Sequence, residues 1–91
     1  MTRVLLYFKG SVQGVGFRVY LKQLCDKYHL FGYVCNLDNG NVKAEIQGDK
    51  NDIDYVLKII LKGNLFIKVT DYQIKTINIK DDETNFNIIY S

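Results

Sequence analysis

The chain has 91 residues, of which 47% are hydrophobic and 24% charged, and its formal net charge at pH 7 is +2. A chain of this length has room for one domain with a modest core, which excludes a large enzyme with several sites. The small net charge does not by itself indicate a nucleic-acid or membrane partner. We therefore predict a single domain over residues 1–91. No apolar run approaches the roughly 20 residues that cross a bilayer, so a cytoplasmic location is the default expectation.

The first third of the chain predicts a strand, a helix and a second strand. Residues 4–8 form a continuous apolar run, which is typical of a buried strand. Apolar residues then recur every three or four positions over residues 17–28, which predicts an amphipathic helix. Gly32 is the predicted helix stop, and residues 33–37 are predicted to form the second strand.

A hairpin signal follows at Asn39-Gly40, because both residues tolerate the positive φ that a tight two-residue turn requires. After it, residues 42–47 alternate between apolar and polar side chains, which predicts a strand with one buried face. The second and third strands should therefore pair in antiparallel orientation.

The remainder of the chain predicts a helix and further strands. The helix begins near Asp49 or Asn51, either of which could cap it, and ends before Gly63. Residues 67–79 and 86–90 are rich in strand-forming side chains. The resulting order, β-α-β-β-α-β with a short extra C-terminal strand, predicts an α+β ferredoxin-like sandwich, in which two helices pack on one face of an antiparallel sheet.

Residues 10–18, Gly-Ser-Val-Gln-Gly-Val-Gly-Phe-Arg, join the first strand to the first helix. A glycine-bearing turn of this kind can aim successive backbone N–H groups into one concavity, and the helix that follows adds the positive end of its dipole. Gly14 and Gly16 permit φ values that are closed to other residues, and Arg18 could lay its guanidinium against two oxygens of a phosphate. From spacing alone, a plain tight connection with a solvated arginine is the commoner meaning of such a segment.

This segment resembles the first signature of the acylphosphatases, which is a glycine, any residue, Val-Gln-Gly-Val, any residue and Phe-Arg. A second block is also similar to that family in residue type and spacing. It comprises Gly-Tyr-Val-Cys-Asn at residues 32–36, Gly-Asn-Val at residues 40–42, and Gly48. The two motifs and the βαββαβ layout together cover nearly the whole chain.

The resemblance implies hydrolysis of the carboxyl–phosphate anhydride of acyl phosphates to a carboxylate and inorganic phosphate. By position, Arg18 matches the family's phosphate-binding arginine, and Asn36 matches the asparagine that holds the attacking water. The phosphate cradle that it implies consists of the backbone amides of Gln13, Gly14, Val15, Gly16 and Phe17. An acyl phosphate is already activated, so positioning and charge stabilisation could suffice without a cofactor, a metal or a covalent nucleophile.

The expected partners are accordingly a small acyl phosphate and inorganic phosphate, bound by a monomer with no nucleic acid and no membrane. Cys25 and Cys35 lack the spacing of a metal site. Asn36 on its own could simply end a strand beside the hairpin. Only the second block makes a catalytic role the preferred interpretation of Asn36.

Three other functions compete with this reading. One is the acylphosphatase-like module of hydrogenase maturation proteins, which handle carbamoyl phosphate, although that module tends to carry a proline where this chain has Val19. Another is an RNA recognition motif, but the predicted strand at residues 42–47 lacks the aromatic residues that stack bases. The third is a phosphate sensor that keeps the cradle but turns over slowly.

The chain departs from the family pattern at three places. Phe8 replaces an aliphatic residue, and Cys35 replaces a longer side chain that is often basic. Because neighbouring strand residues point to opposite faces, Cys35 should not share the face of Asn36. The segment 63–69 lacks the family's customary proline, so the resemblance does not predict the edge of the substrate pocket or the substrate preference.

Overall fold

The strands and helices of this protein follow one another in the predicted order. The computed structural model describes residues 1–90, which form five strands and two helices. The elements are β1 (Thr2–Ser11), α1 (Phe17–Lys27), β2 (Phe31–Asn36), β3 (Val42–Gly48), α2 (Lys50–Lys62), β4 (Lys68–Ile77) and β5 (Phe86–Ile89). The ferredoxin-like architecture predicted from the sequence is confirmed.

The strands form one sheet in the order β4-β1-β3-β2-β5. The four longer strands pair in antiparallel orientation, but β5 lies parallel to β2, so the sheet is mixed rather than wholly antiparallel. The cause is the path of the chain. β4 ends level with Arg3, at the start of β1, and residues 78–85 then cross that end of the sheet to its opposite edge. A strand that starts there can only run in the same direction as β2.

The core lies between the sheet and the helices, and it follows from the alternation of side chains along each strand. In β1, Val4, Leu6 and Phe8 are buried against the helices, while the residues between them face the other side of the sheet. Each helix contributes its apolar stripe to the same layer. The buried residues that α1, α2, β2 and β3 add to this core are Phe17, Leu21, Cys25, Val34, Val42, Ala44, Ile46, Ile53, Val56 and Ile60.

The two helices begin in different ways. The side chain of Asp49 caps α2 by accepting a hydrogen bond from the backbone N–H of Asn51 at 2.8 Å, and Asp52 adds negative charge to the first turn. At the N-cap of α1 stands Gly16, with φ 80°, no side-chain cap and no acidic residue in the first turn. Among residues 1–90, the first backbone N–H groups of α1 therefore have no side-chain acceptor.

The predicted helix stop at Gly32 is wrong. α1 ends at Lys27, and the chain turns through His29, which adopts a φ of 56°. Gly32 lies inside β2 for a different reason, since a Cβ at this position would lie 1.9 Å from the backbone oxygen of Glu45 on the neighbouring strand. The glycine permits a close approach between two strands and ends no helix.

The hairpin between β2 and β3 is also longer than the predicted two-residue turn. Residues 37–41 connect the strands, and the N–H of Leu37 donates to the oxygen of Asn41 at 2.9 Å. Gly40 takes a positive φ of 91°, whereas Asn39 does not. The Asn39 side chain instead accepts a hydrogen bond from the N–H of Asn41 at 3.0 Å, which stabilises a wider loop.

A charged cluster lies on the helix-free face of the sheet, around the fully buried Arg3. The Arg3 guanidinium donates to the carboxylate of Glu45 at 2.8 Å, to that of Glu83 and to the side-chain oxygen of Gln47 at 3.1 Å. Gln47 in turn donates to the backbone oxygen of Lys80 at 2.8 Å. These contacts tie the crossing segment 78–85 to β1 and β3.

We predict that Glu45→Gln destabilises the protein by about 1–2 kcal/mol at pH 7, because hydrogen bonds to charged groups are the stronger ones. Burial alone would raise the pKa of Glu45, but hydrogen bonds from Tyr33 and Arg3 outweigh it and hold the pKa below its ordinary value of 4.5. A lowered pKa means that the carboxylate stabilises the fold above pH 4.5, and that this contribution is lost as the pH falls through the folded-state pKa. The measurement is urea unfolding of both proteins at pH 7 and near pH 3.

The matched control is Asp54→Asn, which removes an exposed pair with Lys50 and should cost less than about 0.5 kcal/mol at either pH. If the free energies of unfolding of wild type and Glu45→Gln differ by the same amount at both pH values, the prediction is contradicted.

Candidate active site

The connection between β1 and α1 is held at both of its ends by buried apolar side chains. Val12 and Phe17 are each 1% exposed. The ring of Phe17 packs against that of Phe8 at a centroid distance of 5.1 Å, which places the start of α1 over the end of β1. The five residues 12–16 must therefore reverse the chain within a short span.

Two glycines make this reversal possible. Gly14 and Gly16 have φ values of 72° and 80°, whereas Val15 between them has a negative φ. A Cβ on either glycine would meet no described residue within 4 Å, so these positions need glycine for its backbone freedom and not for space. Alternation of right- and left-handed backbone turns successive N–H groups toward one side and forms an anion-binding concavity.

Backbone donors are plentiful in this loop. Within residues 1–90, no group accepts a hydrogen bond from the backbone N–H groups of residues 13–19, and the first such bond at the start of α1 runs from Tyr20 to Gly16. The predicted cradle residues, Gln13, Gly14, Val15, Gly16 and Phe17, thus form an unbroken run of free donors next to the positive end of the α1 dipole.

The side chain of Gln13 has a task that the sequence did not reveal. Its amide nitrogen donates to the backbone oxygens of Leu37 at 2.7 Å and Asn41 at 2.8 Å. The loop is therefore fastened to the end of β2 and to the start of β3. For an anion, Gln13 offers its backbone N–H and not its side chain.

Arg18 lies in the first turn of α1 and lines a small pocket of about 80 Å³. Its guanidinium carbon is 4.9 Å from the ring centroid of Tyr90, a cation–π contact. The other residues around this pocket are Val12, Gly14, Gly16, Phe17 and Val19. Sequence reasoning missed Tyr90, since its position depends on the parallel pairing of β5 with β2.

Asn36 is the last residue of β2 and faces the helices. It alternates with the fully buried Val34, and its side-chain oxygen is buried without a hydrogen-bond partner among the described residues. Leu37, the next residue, accepts the hydrogen bond from Gln13 in the loop. Because Cys35 pairs with Ile89, Tyr90 follows at the level of Asn36. The loop, Arg18 and Asn36 therefore lie at the same end and on the same side of the sheet.

A larger groove of about 250 Å³ occupies the helix-free face, against Tyr7, Lys9 and Asp71. Its lining includes neither the donor run of residues 13–19 nor an arginine, so chemistry and not size identifies the candidate site. In the described part of the chain, no three His, Cys, Asp or Glu side chains are grouped to hold a metal ion. Nor do residues 1–90 contain a helix long and apolar enough to span a membrane.

Comparison with known proteins links the sequence and the fold of this chain to a known family. The family model described as acylphosphatase matches residues 4–88. The chain is 40% identical over 90 residues to an acylphosphatase from Clostridium acetobutylicum, covering 99% of each protein, and 38% identical to one from Geobacillus kaustophilus, covering 99% of this chain and 96% of that protein. The crystal structure of acylphosphatase from Bacillus subtilis superimposes with a TM-score of 0.92 at 32% identity, covering 99% of this chain and all of that one.

We predict that the side chain of Gln13 stabilises the loop through its donor atoms. Gln13→Glu keeps the size of the side chain but presents a carboxylate to the two carbonyl oxygens, so it should cost at least as much stability as Gln13→Ala, about 1–2 kcal/mol. Urea unfolding measures the loss, with Gln23→Glu on the exposed side of α1 as the matched control. If Gln13→Glu is as stable as wild type, the two hydrogen bonds do not fasten the loop.

Proposed function

This chain belongs to the acylphosphatase family, and from that premise we propose that its glycine-rich loop and Arg18 bind the phosphoryl group of an acyl phosphate while Asn36 holds the attacking water. The products are a carboxylate and inorganic phosphate. The proposed roles concern the backbone N–H groups of Gln13, Gly14, Val15, Gly16 and Phe17 and the side chains of Arg18 and Asn36.

Charge complementarity supports the role of the loop. The phosphoryl oxygens carry negative charge, and charge on them must be stabilised in the transition state. Free N–H donors at residues 13–19 supply partial positive charges, and the Arg18 guanidinium supplies a full one that can contact two oxygens. These donors are held by a loop with buried ends, so little reorganisation is needed during the reaction.

The buried, unpartnered side-chain oxygen of Asn36 is the observation that carries the proposal. A buried acceptor without a partner costs free energy, and such atoms in native proteins call for an explanation such as a bound water or a catalytic role. A carboxamide can accept a hydrogen bond from a water and donate one to it, but it is no base near neutral pH. Asn36 would therefore orient the water without deprotonating it.

The proposed reaction is a single in-line displacement. The water oxygen forms a bond to phosphorus while the bond from phosphorus to the bridging oxygen breaks, and the electron pair of that bond leaves with the carboxylate. The protons of the water pass to the phosphate product and to solvent. A carboxylate is a good leaving group and the transition state is loose, so positioning and charge stabilisation can replace a general base and a covalent intermediate.

We further propose that the protein acts as a single-domain monomer on a freely diffusing small substrate. A phosphate sensor with the same cradle remains the alternative function, because free N–H donors and Arg18 would serve binding alone. The buried oxygen of Asn36 favours the enzyme, since a sensor has no need of an oriented water.

Purified protein should hydrolyse benzoyl phosphate well above the spontaneous rate, followed as loss of ultraviolet absorbance. The rate should not change on adding EDTA, because the proposed step uses only side-chain and backbone groups. Binding of inorganic phosphate without any hydrolysis would favour the sensor. A rate that falls with EDTA and recovers with magnesium would contradict the metal-free step.

We predict that Arg18→Gln and Asn36→Ala separate binding from turnover. Arg18→Gln should weaken inhibition by inorganic phosphate and reduce turnover by a factor on the order of 100 or more, as the loss of a preorganised charge contact does. Asn36→Ala should lower turnover strongly while inhibition by phosphate stays within about threefold of wild type. Arg18→Lys serves as the matched variant, since it retains the charge but not the planar fork.

Equal loss of phosphate affinity in Asn36→Ala and Arg18→Gln would show that the two roles are not divided in this way.

A further inference from the structure

The pocket beside Arg18 is too small to enclose a whole acyl phosphate. Its volume of about 80 Å³ is far below the roughly 300 Å³ at which pockets enclose complete ligands. It has the donors for a phosphoryl group, which leaves the acyl group to extend beyond it. The surroundings of the pocket mouth therefore decide which acyl groups are favoured.

The proposed reaction geometry gives the direction of that extension. In an in-line displacement, the leaving oxygen lies opposite the attacking water. The oxygen of Asn36 that would hold the water is buried at the sheet. The acyl group must then point away from the sheet, past the exposed residues at the mouth. Among the pocket-lining side chains, Val19 and Tyr90 are the largely exposed ones, at 51% and 71%.

Tyr90 is suited to contact a flat group at this position. One side of its ring is in contact with the guanidinium of Arg18, whose carbon is 4.9 Å from the ring centroid. The high exposure of Tyr90 leaves much of the remaining ring surface open. The Arg18 contact favours this position of the ring, which lowers the cost of ordering it when a second planar group stacks there.

From these observations we infer that Tyr90 is a specificity residue that stacks on the acyl group and makes the enzyme favour acyl phosphates with aromatic or other planar conjugated acyl groups over short aliphatic ones. This inference rests on the proposed function and adds the substrate class to it. The contact uses the ring and not the hydroxyl group, so phenylalanine at this position should give the same substrate preference as tyrosine.

The test compares kcat/KM for benzoyl phosphate and acetyl phosphate in wild type, Tyr90→Phe and Tyr90→Ala. An aromatic stacking contact corresponds to a factor of roughly 3 to 10 in the ratio of the two values. Tyr90→Ala should lower the benzoyl-to-acetyl ratio by that factor, and Tyr90→Phe should preserve it. The control is Tyr55→Ala, which removes another half-exposed aromatic ring, one on α2 that does not line the pocket. It should leave the ratio unchanged.

The outcomes separate recognition of the acyl group from support of Arg18. If Tyr90→Ala lowers kcat/KM equally for both substrates, the ring only positions the guanidinium and the inference is overturned. The same holds if neither value changes. Benzoylphosphonate and acetylphosphonate cannot be hydrolysed. The ratio of their dissociation constants is a second measurement of acyl-group preference, and it does not depend on turnover. A wild-type protein that hydrolyses neither substrate would overturn the proposed function, while the phosphonate ratio would still test Tyr90.

Discussion

The contact between the rings of Phe8 and Phe17 is the constraint on which the candidate site depends. It buries both side chains, at 0% and 1% exposure, and brings the start of α1 directly over the end of β1. The connecting residues must then reverse direction in a span that ordinary φ values do not allow, and Gly14 and Gly16 supply the two positive φ angles. The packing that closes the core thus also creates the loop at residues 13–19, whose N–H groups have no acceptor in the described part of the chain.

A second set of interactions acts from the opposite end of the sheet. The cluster around Arg3 fixes the crossing segment 78–85, and that segment delivers β5 to the edge beside β2. β5 then carries Tyr90 to the end of the sheet where Arg18 lies. Charged groups far from the candidate site therefore help to determine what surrounds it, through the path of the backbone.

The sequence predicted what depends on local pattern. Apolar runs, apolar periodicity and strand propensity predicted the helices and strands, and the glycines marked a tight connection between β1 and α1. An anion site at this loop and Arg18 became the preferred interpretation only with the family resemblance. Asn36 needed the family resemblance, because a polar residue at a strand end has no distinctive pattern of its own.

Features that depend on tertiary packing escaped prediction. In the sequence Gly32 looks like a helix stop. The structure requires glycine there for another reason, because a Cβ would collide with the backbone oxygen of Glu45 on the neighbouring strand. The hydrogen bonds of the Gln13 side chain and the contact between Tyr90 and Arg18 likewise join segments that are distant in sequence. No local signal encodes which backbone oxygen or cation such a side chain will meet.

The contrast between the two helix starts has a consequence for how this protein responds to its surroundings. α2 carries its own cap in Asp49, whereas α1 has only a glycine at the same point. N–H groups at a helix start without a side-chain cap are left to water or to a ligand, and a ligand that binds only the folded protein raises its stability. Because we propose that inorganic phosphate binds at this end of α1, phosphate in the medium should raise the melting temperature of the protein while it competes with the substrate.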